Sequence, residues 1–260
     1  MQNQPKQDNW SEQWELFHDD SLFLFEEWIK PHTLESFRGK SVVDCGCGGG
    51  QHIEFIAPYA SEVLGIDLNT TEVAKKYVGR LPNVHLLEGD LATVQLSKKY
   101  DIAYCIGVIQ HTIDPDTTFA NIKTFVKPGG LVILWCYAKE GNWLNWGVLE
   151  PVKRAILLKL PRKALLGLSW ILTVFLYPII YTIYLLPLQF LPYYYYFKNW
   201  RKLSFGRNQL NVFDKLNAPI TNFITREQVT SWFNDREFAD VHIDHYNGIS
   251  WRASGVKKII

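Results

Sequence analysis

Nine consecutive residues constrain this chain's fold more than any other feature: Val42-Val43-Asp44-Cys45-Gly46-Cys47-Gly48-Gly49-Gly50. A short β-rich run over residues 41–45 stops abruptly in glycine, and residues 51–59 then carry the mixed polar and apolar texture of a helix. Glycines at such a junction let the backbone turn sharply and approach a ligand with no Cβ in the way. A strand feeding a helix through a loop of this kind opens an α/β unit, and the next hundred residues repeat the alternation. The pattern predicts further strands over 62–67, 84–87, 101–106 and 131–137. Helices are predicted over 70–79 and 116–126, the second stopped by Pro128-Gly129-Gly130. Strands and helices of these lengths imply βαβ units and a parallel sheet buried on both faces.

Glycines alone do not say what the loop holds. A dinucleotide fingerprint would place its third glycine where Gln51 stands, drawing helix and strand together around a pyrophosphate. The spacing here is instead D-x-G-x-G-x-G, with an acid on the strand itself. That acid would repel a pyrophosphate and suits a ligand carrying an amino group and a sulfonium. At this point the sequence resembles the class I S-adenosylmethionine-dependent methyltransferases, in particular the small-molecule group that includes the quinone-ring enzymes. The resemblance continues in order along the chain. VVDCGCGGG looks like the first motif, GID at residues 65–67 like the acidic end of the second strand, and EGDL at 88–91 like the third-strand signature. CIGVIQH at 105–111, followed by Asp114-Pro115, resembles the fourth-strand segment, and KPGG at 127–130 the loop before the fifth strand.

Carried over position by position, the resemblance implies that Asp44, Gly46, Cys47, Gly48 and Gly50 hold the methionine moiety or floor the loop. Asp67, with Leu68 beside it, would take both ribose hydroxyls, one carboxylate serving two donors. Asp90 and the amide of Leu91 would face the adenine edge, and Ile106 and Gly107 the reactive end of the cofactor. Many relatives have two histidines where this chain has Gln110 and His111, so only the second is kept. His111 is then the candidate catalytic residue, as general base, as substrate-orienting donor, or simply as a residue lining the cleft. Taken outside its motif, Asp67 would read as a helix cap. Cys45, Cys47, Cys105 and Cys136 fall at predicted strand ends and read as small buried side chains rather than a metal cluster, and His242 and His245 read as structural.

Beyond residue 140 the pattern breaks. Residues 164–197 hold no charged residue, but they do hold Pro178, Pro187, Pro192 and the tetrad Tyr193-Tyr194-Tyr195-Tyr196. Lys153, Arg154, Lys159, Arg162 and Lys163 precede this run, and Lys198, Arg201 and Lys202 follow it. One membrane-spanning helix needs ~20 apolar residues, so length alone permits a crossing. The sheet forbids a single one, because residues 240–246 and 249–257, a hairpin turning on Asn247-Gly248, should complete the same sheet. Two crossings need ~40 apolar residues, more than the run supplies. The expectation is a segment lying on a membrane surface, with a soluble lid as the alternative.

The remaining elements are one or two amphipathic helices within 10–29, carrying Trp14, Phe17, Phe25 and Trp28, and a helix after Thr225, whose TREQ has capping-box spacing. The fold class expected is α/β, a Rossmann-like doubly wound methyltransferase sheet. It should be mostly parallel, with an antiparallel pair at the C-terminus and a helical hydrophobic insertion. The parts run 1–40 (helical cap), 41–140 (cofactor core), 141–220 (insertion) and 221–260 (closing helix and strand pair). With 27 basic against 26 acidic residues, no nucleic-acid partner is expected. Four cysteines and a start with no basic-then-apolar leader suggest a cytoplasmic protein, peripheral on the inner face of the membrane. The function expected is S-adenosylmethionine-dependent methylation of a hydrophobic or lipid acceptor. A non-catalytic membrane-associated binder of that cofactor and a nicotinamide-dependent reductase are the alternatives.

Overall fold

The computed structural model describes residues 8–17 and 21–259. Two short helices, α1 (Asp8–Leu16) and α2 (Leu22–Trp28), precede β1 (Ser41–Cys45). There follow α3 (Gln51–Ile56), β2 (Glu62–Asp67), α4 (Thr71–Val78), β3 (Val84–Glu88), β4 (Tyr100–Ile106), α5 (Pro115–Ile122) and β5 (Val126–Tyr137). The insertion supplies α6 (Glu150–Ala155), α7 (Arg162–Ile180), α8 (Tyr194–Trp200) and α9 (Phe205–Asn217). The chain closes with α10 (Arg226–Trp232), β6 (Phe238–Tyr246) and β7 (Ser250–Lys257).

These strands form one seven-stranded sheet in the order β3-β2-β1-β4-β5-β7-β6. β1 to β5 pair in parallel, and β7 runs antiparallel to both its neighbours. This is the expected fold class. Because side chains alternate along a strand, Val42, Ile102 and Tyr104 enter a core with Phe25 of α2 and Ile53 and Ile56 of α3. Val43, Ala103 and Leu134 enter the opposite core with Phe119 of α5 and Trp232 of α10. Asn247 and Gly248 both take positive φ, as the hairpin turn demands, and Ile249 N donates to Tyr246 O (3.2 Å).

Several boundaries differ from the sequence expectation. The helix expected over 51–59 ends at Ile56, because Pro58 has no N–H with which to continue it. The helix expected over 116–126 starts at Pro115, capped by the Asp114 side chain, and ends at Ile122. β5 then begins at Val126 rather than at 131, since Val126 pairs with Tyr100 and Leu131 with Ile102. Pro128-Gly129-Gly130 bulges out between those pairs, with Gly129 at φ +78°, and does not stop the strand.

The insertion has a core of its own, built on Leu165, Ile180, Trp200 and Phe213. Two of its helices, α6 and α7, are inside out by the usual rule for a water-soluble surface. α7 buries Ser169 and Thr173 completely, whereas Trp170 (52% exposed), Ile171 and Phe175 (68%) face outward. A π-helical turn (Asn145–Leu149) runs into α6 and repeats this: Glu150 and Lys153 are buried, and Trp146, Val148, Val152 and Ile156 are exposed. Among the described residues, α7 is the helix long and apolar enough to cross a membrane.

Candidate functional site

The loop after β1 is sewn to the end of β2. Gly46 N and Cys47 N both donate to Ile66 O (2.7 and 3.0 Å), Gly48 N donates to Asp67 Oδ2 (3.0 Å), and Thr70 Oγ1 donates to Gly48 O (2.7 Å). Glycine is required here by both conformation and space. Gly46 sits at φ +91°, and a Cβ there would meet the Val108 side chain at 2.4 Å. A Cβ on Gly48, at φ +54°, would meet the Trp14 indole at 2.8 Å, because α1 lies across the loop.

Above this loop is a cavity of about 430 Å³. Gly46, Gly48, Asp67 and Leu68 form its wall at one end, Asp90 and Leu91 continue it, and Ile106 at the end of β4, with Gly107 and His111 beyond it, faces it. Asp44, Cys47 and Gly50 stand behind that wall. Asp90 Oδ1 accepts from Ala92 N (2.9 Å), which fixes the turn presenting Leu91. Asp67 is half-buried, and its partial desolvation raises its carboxyl, while the Gly48 amide hydrogen bond opposes the rise. Asp44 is fully buried, its Oδ2 has no hydrogen-bond partner among the described residues, and burial pushes its carboxyl up to about 8. Gln110, whose role the sequence left open, is buried with both side-chain amide atoms unpartnered. Its backbone carbonyl accepts from Asn222 N (2.7 Å).

His111 Nδ1 lies 2.8 Å from Ile220 O. A carbonyl only accepts, so Nδ1 carries the proton and Nε2 keeps a lone pair. Burial holds the imidazole pKa below its ordinary value, against the opposing charge of Asp214. The ring sits between Trp10 (5.0 Å between centroids) and Tyr137 (5.8 Å).

The far wall of the cavity comes from residues that sequence reasoning missed. Tyr137 donates its hydroxyl to Asp214 Oδ2 (2.8 Å), and Gln13 Nε2 donates to Asp214 Oδ1 (3.4 Å). Burial works to raise the Asp214 carboxyl, but His111, Lys215 and these hydrogen bonds hold it below the ordinary range. Lys153, read from sequence as a flanking cation, is 1% exposed. It pairs with Glu150 (2.6 Å) and donates to Thr221 Oγ1 (2.8 Å). Arg207, Asn211 and Asp214 line the cavity from α9 at i, i+4, i+7 spacing, and that polar stripe was the one signal available for this second wet wall. α1 bridges the two halves: Ser11 Oγ donates to Asn69 O (2.6 Å), Glu15 pairs with Lys76 (2.6 Å) and Glu12 with Arg162 (2.8 Å). His242 and His245 lie outside the cavity, on β6. All four cysteines are buried and unpaired, and no group of His, Cys, Asp and Glu suited to a metal ion occurs among the described residues.

The sequence model of a methyltransferase domain family matches residues 43–134. Over 116 residues the chain is 34% identical to the ubiquinone biosynthesis O-methyltransferase of Stutzerimonas stutzeri, covering 40% of this chain and 47% of that protein. It is 38% identical over 104 residues to the enzyme of the same name from Acinetobacter baumannii, covering 36% and 42%. The chain therefore spans less than half the length of the curated relatives it matches. Among solved structures, an O-methyltransferase family protein from Burkholderia thailandensis aligns over 91% of this chain and 56% of its own (TM-score 0.55, 10% identity). Human N-acetylserotonin methyltransferase, solved with S-adenosylmethionine, aligns over 89% and 51% (TM-score 0.50, 14% identity). At those identities the structures speak to the fold.

Proposed function

We propose that this chain, whose residues 43–134 match a methyltransferase domain, is a class I S-adenosylmethionine-dependent methyltransferase that methylates a hydrophobic small molecule at a membrane surface. The observation that carries the reading is the shared cavity. One end is the glycine loop with its carboxylates, the other is walled by the insertion, and its volume falls within the ~300–1,000 Å³ of small-molecule sites.

The residues present fit the donor. The Asp44 carboxyl, buried behind the loop beside the Tyr104 hydroxyl and with no cation paired to it among the described residues, answers a cationic ligand, since a buried carboxylate without a counter-charge is costly. Asp67 spends two acceptor sites on Gly48 N and Asn69 N and retains others for the ribose hydroxyls. Asp90 and Leu91 take the adenine edge in this reading, and Ile106 and Gly107 stand by the sulfonium. When bound, S-adenosylmethionine supplies an activated methyl group. The protein's work is then to align the acceptor, exclude water and handle one proton. Trp14 over Gly48 and Trp10 over His111 cover the cavity. His111 Nε2 is the group that takes the acceptor's proton, held in the right tautomer by Ile220 O.

The relatives named for ubiquinone biosynthesis support a hydrophobic ring as acceptor. The outward apolar faces of α6 and α7 support peripheral docking, with the inner face of the cell membrane as the proposed place. A single crossing by α7 does not fit the sheet, because the chain leaves β5 for the insertion and returns to pair β7 beside it. Incubation with methyl-labelled S-adenosylmethionine and a membrane lipid extract should yield a labelled, organic-soluble product. Tight binding of S-adenosylhomocysteine with no product from any extract would favour a non-catalytic binder. Preference for a nicotinamide cofactor in a titration would overturn the reading.

A further inference from the structure

Lys153 is an unusual residue to find in a cavity wall. It is almost fully buried, yet it stands on a helix whose outer face is apolar. Its partner Glu150 is shared: Lys153 Nζ meets Glu150 Oε2 at 2.6 Å, while Arg154 Nε meets Glu150 Oε1 at 2.9 Å from the solvent side. Two cations on one carboxylate leave a surplus positive charge, and the buried member is the one facing the cavity. An ammonium has three N–H donors. Glu150 and Thr221 take two, and the third has no acceptor among the described residues.

The surplus lies beside the proposed base. Lys153 is anchored to Thr221 and His111 to the preceding residue, Ile220, so one turn of backbone holds both groups. Asn222 latches the same segment to the β4 side, its amide N donating to Gln110 O (2.7 Å) and its side chain to Thr112 O (2.8 Å). The charged and titratable groups facing this pair are Asp214, Arg207 and Lys215 from α9, Glu150 and Arg154 from α6, and Tyr137 from β5. Asp214 already accepts from Tyr137 and Gln13.

Building on the methyltransferase reading, we propose that Lys153 is a catalytic residue whose free N–H meets an acidic oxygen of the acceptor and stabilises it as an oxyanion. The acceptor's O–H bond breaks and its proton passes to His111 Nε2. The oxygen pair released forms the new bond to the donor's methyl carbon, and the C–S pair stays on sulfur. A neutral imidazole and a fixed ammonium at one oxygen suit an acceptor that ionises, such as a phenol or enol. They do not suit an amine, which Lys153 would repel once it became charged.

The test separates this role from a structural one. The probe is a 4-nitrophenol bearing an alkyl tail, whose phenolate absorbs at longer wavelength than the phenol, bound in the presence of S-adenosylhomocysteine. The intact protein should bind it as the phenolate and raise its ionisation constant about tenfold or more. Replacing Lys153 alone would leave Glu150 Oε2 without its partner on the cavity side while Arg154 keeps Oε1, so the informative variant is the pair Lys153→Met with Glu150→Gln. That variant should keep S-adenosylhomocysteine affinity, measured by calorimetry, and lose the shift. A purely packing role for Lys153 would leave the spectrum unmoved. The proposal fails if the probe binds unshifted, if the shift survives the double replacement, or if the probe does not bind saturably. Loss of S-adenosylhomocysteine binding by the unaltered protein would instead overturn the methyltransferase reading itself.

Discussion

Asp67 has two occupations, and they can be separated by substitution. Its carboxylate holds the glycine loop through Gly48 N and, in the proposed complex, takes the ribose hydroxyls. Asp67→Asn keeps an acceptor for Gly48 N but removes the charge, and Asp67→Ala removes both. Charge-assisted hydrogen bonds contribute ~1.5–3 kcal/mol each. Calorimetry should therefore show at least a tenfold loss of S-adenosylmethionine affinity in the Ala variant, and unchanged affinity would remove Asp67 from the site. Asp44 leads to a different expectation. Its carboxyl, raised to about 8 by burial, is largely protonated at neutral pH in the empty site. A cationic ligand favours the charged form, so binding near pH 7 should release a proton and tighten as pH rises toward 8. Binding enthalpies in buffers of different ionisation heat should reveal that proton, and Asp44→Asn should abolish it. For His111 the sign runs the other way. Its pKa is held below the ordinary 6.5 by burial, so the neutral base persists through neutral pH. Turnover should be flat there and fall on the acid side with an apparent pKa below 6.5. Folding stability is also lost on that side, because the unfolded chain takes up the proton first. His111→Ala should lower kcat while leaving cofactor affinity within a few-fold.

At the scale of elements, α7 inverts the rule that a surface helix buries its apolar stripe. The ridge Leu165, Ser169, Thr173 is inside, and the two hydroxyls are satisfied by the helix's own carbonyls, Leu166 O and Ser169 O (2.7 Å each). Leu165→Ala should therefore cost ~2–5 kcal/mol in chemical denaturation. Ile171→Ser with Phe175→Ser, on the bulkier and more hydrophobic positions, should change stability by less than ~1 kcal/mol. A large loss in the outer pair would mean that this face packs inside the protein. The same inversion explains what the sequence could and could not reveal. Strands β1, β2 and β4 were legible because strands buried on both faces read as continuous apolar runs, and the loops proposed to hold the cofactor were legible because their residues follow each strand in contiguous motifs. β5 was read five residues short because Pro128-Gly129-Gly130 looks identical whether it stops a helix or bulges from a strand. The far wall of the cavity, where the acceptor is proposed to bind, was illegible for another reason. Gln13, Tyr137, Lys153 and Asp214 come from four distant elements, and nothing local in the EPVKRA of α6 tells a buried lysine from a solvated one.

For the molecule as a whole, the insertion exposes many large apolar side chains, among them Trp143, Trp146, Trp170, Phe175 and Phe190, the last 81% exposed. A water-soluble surface rarely leaves so many large aromatic and aliphatic groups exposed. On the proposed reading a bilayer interface covers them, and burial of each is worth up to ~1.5–3 kcal/mol. The cations that bracket the run contribute less than their number in sequence suggests. Lys153 faces the cavity, Arg154 pairs with Glu150, Arg162 pairs with Glu12, and Lys202 lies over the Phe23 ring (4.3 Å). Attachment should therefore be carried mainly by apolar burial. The protein should float with phosphatidylcholine vesicles, somewhat better when anionic lipid is added, and lose only a minor part of that binding in high salt, since screening acts on the charges alone. Removing residues 164–197 outright is a poor test, because Tyr196 lines the cavity and α7 packs against α9. The Ile171→Ser, Phe175→Ser pair, extended by Phe190→Ser, is the cleaner instrument. It should release the protein from vesicles, leave S-adenosylhomocysteine affinity intact, and slow methylation of a bilayer-dissolved acceptor far more than that of a short-tailed soluble one. If the unaltered protein ignores both kinds of vesicle and remains a soluble monomer without detergent, the apolar face is not a membrane surface, and the acceptor must reach His111 from water.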